Sequence, residues 1–285
     1  MKILLTGATG QVGYELERSL QGLGQVVALD RSRMDLADLD QVRRVIREVR
    51  PQLIVNPAAY TAVDKAESEP GLAMRINCEA PGVMAEEAKR LGAAMVHYST
   101  DYVFDGTKPG AYVETDPACP INVYGQSKLA GEQAIAAAGI DHLVLRTSWV
   151  YGLRGKNFLL TMLRLGAERE EVRVVADQFG APTWSRTIAD TTALILAQSR
   201  PGGDWWARNS GIYHLCSGGQ TSWCGFSAAI MAQAGLACRV APIPASDYPV
   251  PARRPTNSVM DTGRLRRQFG ELPDWQVALR LCLGT

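Results

Sequence analysis

The chain has 285 residues, 46% of them hydrophobic and 21% charged, with a formal net charge of +1. That is the composition of an ordinary globular protein of one large or two smaller domains. It gives no global attraction for nucleic acid or an anionic membrane, and no apolar run approaches the roughly 18 residues of a membrane span.

A first strand starting at Lys2 leaves no room for a signal peptide, so a cytoplasmic protein is expected. The six cysteines, Cys78, Cys119, Cys216, Cys224, Cys238 and Cys282, are scattered without a CxxC pair. They read as buried or half-buried thiols in a reducing compartment. His97, His142 and His214 sit singly in apolar runs, as core histidines do. No cluster has metal-ligand spacing, and no metal site is assigned.

Lys2 to Thr6 reads as a buried strand that runs into Gly7-Ala8-Thr9-Gly10-Gln11-Val12-Gly13 and then a helix from Tyr14 to Leu23. Glycines at 7, 10 and 13 between a strand and a helix let the backbone turn sharply and approach a pyrophosphate, whose charge the helix N-terminus meets. Gln25 to Leu29 is a second strand, and Asp30 ends it where an acid binds adenosine ribose hydroxyls, which argues for NAD. Arg31 and Arg33 suit the 2′-phosphate of NADP instead, so both NADH and NADPH stay open. Asp38 is placed to cap a helix from Leu39 to Arg50.

Gln52 to Asn56 is strand three, followed by the small residues Ala58 and Ala59, against which a cofactor can lie. A long helical stretch spans Gly71 to Leu91. Ala94 to Tyr98 is strand four, ending in Ser99-Thr100-Asp101-Tyr102. After a polar loop from Glu114 to Cys119, a helix carries Tyr124 and Lys128 and runs to about Ala138. Positions four apart share one helix face, so an ammonium there is expected to lower the phenol pKa toward neutrality and ready it for proton transfer. His142 to Leu145 is strand five, ending in Arg146-Thr147-Ser148-Trp149.

Strands alternating with helices predict a doubly wound parallel α/β sheet of the Rossmann type, with ligands bound outside the carboxyl ends of the strands. The glycine loop, Asp30, Ala58-Ala59, Thr100 and Trp149 all follow strand ends. In the second half, Asn157 to Glu168 is a helix and Glu171 to Ala176 a strand. Ser185 or Thr187 caps a helix to about Gln198. Pro201 to Asp204 is a loop, Gly211 to Cys216 a strand, and Thr221 or Ser222 opens a helix to Ala234. Residues 1–148 plus about 170–200 are expected to form the dinucleotide domain. About 149–169 plus 201–285 are expected to form a smaller α/β lobe.

The TGATGQVG start, the YxxxK of Tyr124 and Lys128, and the earlier Thr100 resemble the extended short-chain dehydrogenase/reductases over essentially the whole chain. NPAAYTAVDKAE, HYSTDYVFDG, INVYGQSKLAGE, LRTSWVYG, DQFGAPT and PARRPTNS resemble the branch that reduces a dTDP-linked 4-keto-6-deoxy-L-hexose at the end of dTDP-L-rhamnose synthesis. The resemblance implies that Gly10, Gln11 and Val12 contact cofactor phosphates and that Asp30, Asp35 and Leu36 contact the adenosine half. Ala58, Ala59 and Tyr60 would line the dinucleotide cleft, although the family often has alanine and histidine where this chain has Pro57 and Tyr60. Tyr124 would be the proton donor, aided by Lys128 and Thr100. Thr100, Asp101 and Tyr102 would meet the sugar, and Trp149 would wall it.

Arg253 and Arg254 form a fork suited to the dTDP diphosphate such a protein would bind. The order Thr100-Asp101-Tyr102 lacks the glutamate of the related dehydratases. An epimerase or a non-catalytic dinucleotide-binding subunit remains the alternative. Some members form dimers with a divalent cation such as Mg2+. A homodimer and that cation are expected here only through the resemblance.

Overall fold

The computed structural model describes residues 1–199 and 203–284. Pro201 and Gly202 of the expected loop lie outside the described residues. The centre is a six-stranded sheet in which every neighbouring pair is parallel. Its strands are β1 (Lys2–Leu5), β2 (Gln25–Ala28), β3 (Leu53–Asn56), β4 (Ala94–Thr100), β5 (His142–Thr147) and one later strand. The order runs β2, β1, β3, β4, β5 and then that later strand. The chain reverses direction across the sheet between β1 and β3, and a crevice opens there at the strand ends.

Strand alternation fills both faces. Ile3, Leu5, Leu53, Val55, Val96 and Leu145 face α1 (Gln11–Ser19) and a later helix. Leu4, Ile54 and Met95 face α2 (Leu39–Val49) and α3 (Ala80–Leu91). Asp38 caps α2 by accepting from the Gln41 N–H at 2.9 Å. The long helical stretch before β4 is interrupted by a π turn at Arg75–Glu79, where Asn77 is buried. Asn77 Nδ2 donates to the Tyr60 carbonyl and the Ser127 hydroxyl, which ties this turn to the next helix, α4 (Val123–Ala138).

The second half departs from the expected division. The strand β6 (Glu171–Val175) does not return to the central sheet but pairs with a strand at Arg239–Ile243. Val172 and Val174 face Leu159 and Met162 of α5 (Phe158–Glu168) in a separate core. The helix α6 (Ser185–Ala197) does return, with Ile188, Ala189 and Ile195 against the sheet beside α1. Its N-cap residue is Trp184, not Ser185 or Thr187. The sixth central strand is β7 (Gly211–His214), expected in the lobe, because Tyr213 and Leu215 alternate into the main core. Ser222 caps α7 (Trp223–Gln233) through the Gly225 N–H. Among the described residues no helix is long and apolar enough to cross a membrane. The cysteines are free thiols, and Cys119 is exposed where burial was expected.

Candidate active site

A cleft of about 460 Å³ opens at the carboxyl edge of the sheet. Its floor is the glycine loop between β1 and α1. Gly7 has a positive φ of 57°, and a Cβ there would lie 3.0 Å from the Cβ of Ala58, so a side chain would wedge β1 from β3. A Cβ on Gly13 would fall 2.1 Å from the Gly7 carbonyl oxygen, which explains the third glycine. Gly10, the N-cap of α1, makes no side-chain cap, and the helix start opens into the cleft.

Of the sequence-derived residues, Gly7, Gly10, Gln11, Val12, Gly13, Asp35, Leu36, Ala58, Ala59, Tyr124 and Lys128 all line this one cleft. Asp30 does not. Its carboxylate accepts from the Ser32 hydroxyl at 2.6 Å and from the backbone of Ser32 and Arg33, so it closes its own turn. Those bonds, the Ser32 hydroxyl first, hold its pKa below the usual carboxylate value. Arg31 takes the lining position and pairs with Asp35 at 3.2 Å. Tyr60 is also outside the lining. Its hydroxyl donates to Glu69 at 2.8 Å and its N–H to Asn77, which turns the ring away, while Pro57 and Thr61 line the wall.

The residues that sequence reasoning missed fall into two kinds. Ser99, next to last in β4, and Thr147, last in β5, lie on the cleft edge, and the strand-end rule that selected Thr100 and Trp149 could have selected them. Their hydroxyl oxygens are buried without a partner. Gly155 and Lys156 come from the loop before α5, which crosses the mouth and is held by Asn157 Nδ2 donating to Gln11 Oε1 at 2.8 Å. That contact joins residues far apart in the chain, and no local pattern announces it.

Tyr124 stands in the first turn of α4, whose cap is Asn122, accepting from the Gly125 N–H at 2.8 Å. A Cβ on Gly125 would lie 2.1 Å from the Tyr102 carbonyl oxygen. The bare glycine therefore lets the Thr100–Tyr102 segment press against the helix start. Tyr102 meets Tyr124 edge to face with centroids 5.9 Å apart. Thr100 donates to Asp101 at 3.0 Å and accepts from the Tyr102 N–H.

The expected electrostatics are reversed. Burial pushes the Tyr124 phenol up to about 12, opposed by the Thr100 hydroxyl and reinforced by Asp101. The Lys128 amine is turned to other partners. Lys128 is 2% exposed, and its Nζ donates to the Tyr98 carbonyl at 2.6 Å and meets His97 Nε2 at 3.3 Å. Burial brings its own pKa down to about 8, with Glu132 opposing. Burial likewise raises Asp101 to about 6 and the Tyr102 phenol above its ordinary value.

Trp149 has a positive φ of 46° and stacks on Trp223 at 3.5 Å, with Gly180 beneath it. Arg254 is already paired, forking onto both oxygens of Asp64 at 2.9 and 2.8 Å. Arg253 is exposed, and its carbonyl accepts from the Asn122 cap at 2.8 Å, which sets it beside the α4 start. Among the described residues no group of three His, Cys, Asp or Glu side chains comes together as a metal site.

The profile of the RmlD substrate binding domain matches residues 1–285. The chain is 56% identical to a dTDP-4-dehydrorhamnose reductase of Burkholderia thailandensis over 292 residues, covering 99% of this chain and 98% of that protein. It is 44% identical to the enzyme of the same name from Escherichia coli K12 over 297 residues, covering 100% and 97%. The crystal structure of a dTDP-4-dehydrorhamnose reductase from Bacillus anthracis in complex with NADP superposes with a TM-score of 0.92 at 36% identity. It covers 99% of this chain and 98% of that one.

Proposed function

The chain belongs to the RmlD family of dTDP-4-dehydrorhamnose reductases, and from that premise we propose how its own residues carry out the reaction. The protein reduces the C4 ketone of dTDP-4-dehydro-6-deoxy-L-lyxo-hexose to dTDP-L-rhamnose with NADPH, the last step in making that nucleotide sugar. The observation that carries this reading is the meeting of Tyr124 and Lys128 with the glycine loop in one cleft.

The cleft fits a dinucleotide. The uncapped start of α1 offers backbone N–H groups to a pyrophosphate, with Lys156 on the facing loop. Arg31 suits a 2′-phosphate. The unpartnered hydroxyls of Ser99 and Thr147 suit the carboxamide end. Asp35 and Leu36 flank the adenosine end. When bound, NADPH supplies the hydride.

Tyr124 supplies the proton. A phenol held near 12 keeps its proton at neutral pH, and an alkoxide forming at C4 is a far stronger base, so the transfer runs downhill. Thr100, whose O–H is now spent on Asp101, turns it to the ketone oxygen and stabilises the charge that develops there. Tyr102 holds the Tyr124 ring edge-on. The Trp149–Trp223 stack walls the hexose, and Arg253 at the mouth takes the diphosphate. Arg254 acts at one remove, anchoring the Arg253 loop through Asp64.

Stoichiometry tests the reading. The purified protein, given dTDP-4-dehydro-6-deoxy-L-lyxo-hexose, is expected to oxidise one NADPH for each dTDP-L-rhamnose formed. Sugar epimerised without net loss of NADPH would make it an epimerase.

A further inference from the structure

Residues 152–156 lead from Tyr151 to the cap of α5 and cross the mouth of the cleft, where Gly155 and Lys156 line it. Residues 153–156 are exposed. A loop that buries so little has no core of its own to hold it in place. Two separate contacts fix this one to α1.

The first is made by Asn157. Its Oδ1 accepts from the Leu160 N–H at 3.1 Å and caps α5, which sets the orientation of the amide. The donor end, Nδ2, then faces three acceptors. They are the Gly152 carbonyl and Gln11 Oε1, both at 2.8 Å, and the Arg154 carbonyl at 3.2 Å. One side chain thus caps a helix, closes the loop on itself and ties it to the first residue of α1. At the root of the loop a Cβ on Gly152 would lie 2.6 Å from Ser185 Oγ, so that end is packed on the start of α6. Near its tip Gly155 adopts a positive φ of 75°, and a Cβ there would lie 3.6 Å from Gln11 Cγ.

The second contact is made by Tyr14, one turn into α1. Arg154 Cζ stands 4.0 Å from the centroid of its ring and Arg18 Cζ stands 3.4 Å from it. Two guanidinium groups so close to one centroid cannot share a face without overlapping, so the ring lies between them. Arg18 is held on its face by donating from Nη1 to the Tyr14 carbonyl at 2.7 Å. Arg154 takes the other face, where the ring quadrupole attracts it.

We infer that Tyr14, Arg154 and Asn157 are positioning residues for the cofactor, which bracket the loop onto α1 and so set Lys156 against the pyrophosphate. This rests on the reading of the cleft as the NADPH site. Lys156 follows Gly155, Gly155 lies against Gln11, and Gln11 opens α1. The ammonium therefore joins the N–H groups at the start of that helix in meeting the two phosphate charges. A loose loop would lose its freedom each time the cofactor bound. A bracketed loop has already lost it, and affinity is higher by that difference.

The test is fluorescence titration of the full-length protein with NADPH and with NADH, which share the pyrophosphate. Lys156→Met is expected to weaken both about tenfold. Tyr14→Leu is expected to weaken both about threefold, and Tyr14→Phe, which keeps the ring, to bind as the wild type does. In the Lys156→Met background Tyr14→Leu should change neither Kd, because the bracket then has no ammonium to place. The same threefold loss in that background would mean that Tyr14 acts by another route, and it would overturn the inference. Unchanged affinity in Lys156→Met overturns it too. Trypsin reads the bracket without any cofactor. Cleavage after Arg154 and Lys156 is expected to be about threefold faster in Tyr14→Leu than in the wild type, since the loop is open more of the time. An unchanged cleavage rate also overturns the inference. Wild-type protein that bound neither dinucleotide would instead remove the reading of the cleft, and the bracket's task with it.

Discussion

Asp101 is 3% exposed, and burial raises its carboxyl to about 6, opposed by the nearby Ser258 hydroxyl and by the Thr100 hydroxyl that donates to it at 3.0 Å. Its folded pKa lies above the unfolded value of 3.8, so the native state holds this proton more tightly. The group therefore costs little stability near pH 4, and the cost grows as pH rises through about 6. The full cost is on the order of 3 kcal/mol. Asp101→Asn is expected to raise the urea midpoint at neutral pH and to leave it nearly unchanged near pH 4. An equal gain at both would contradict the assignment. At the cofactor end, Arg31→Ala should weaken NADPH about tenfold and NADH little, measured by fluorescence titration, since only NADPH carries the 2′-phosphate. That Tyr124 and Lys128 share a helix face and line one cleft agrees with their spacing. The direction of the phenol shift was not legible, because spacing gives neither the burial of the ring nor the turn of the ammonium toward Tyr98. Asp30 lies outside the cleft lining, where Ser32 and Arg33 supply a nearer use for one of its carboxylate oxygens.

Helix α4 carries Tyr124, Lys128 and Glu132 at four-residue steps, and Glu132 accepts two hydrogen bonds from Arg146 of β5 at 3.0 and 2.7 Å. Both partners are 3% exposed. Removing one leaves the other charge buried alone, at a cost of about 3–5 kcal/mol. Glu132→Ala is therefore expected to lower the urea unfolding free energy by that amount, with Glu132→Gln/Arg146→Met recovering much of it. A loss under 1 kcal/mol in the single variant would show that the pair does not hold α4 to the sheet. Elements of this kind were readable where local chemistry decides them, as in the cap Asp38 and the apolar runs of β1 to β5. The π turn at Arg75–Glu79 was not, since it follows from the buried bonds of Asn77 to Tyr60 and Ser127. Nor could period-two alternation say which sheet a strand joins, and β6 and β7 were exchanged between halves for that reason.

Across the molecule, three side-chain contacts are among those between the later part of the chain and the dinucleotide half. They are Asp64 with Arg254, the Asn122 cap with the Arg253 carbonyl, and Gln11 with Asn157. Gln11 lines the cleft, and the Asn122 cap starts the helix that carries Tyr124, so two of the three join the later chain to elements that frame the site. Arg254→Met should raise KM for the dTDP-sugar about tenfold while the NADPH Kd stays unchanged, because it frees the Arg253 loop without touching the glycine loop. A parallel loss of NADPH affinity would contradict that division of labour. The most direct test of the whole account is the steady-state turnover of Tyr124→Phe with NADPH and the dTDP-linked 4-keto sugar. The account predicts a kcat lower by about 10²–10⁴-fold with NADPH binding intact. Turnover at the wild-type rate would contradict it.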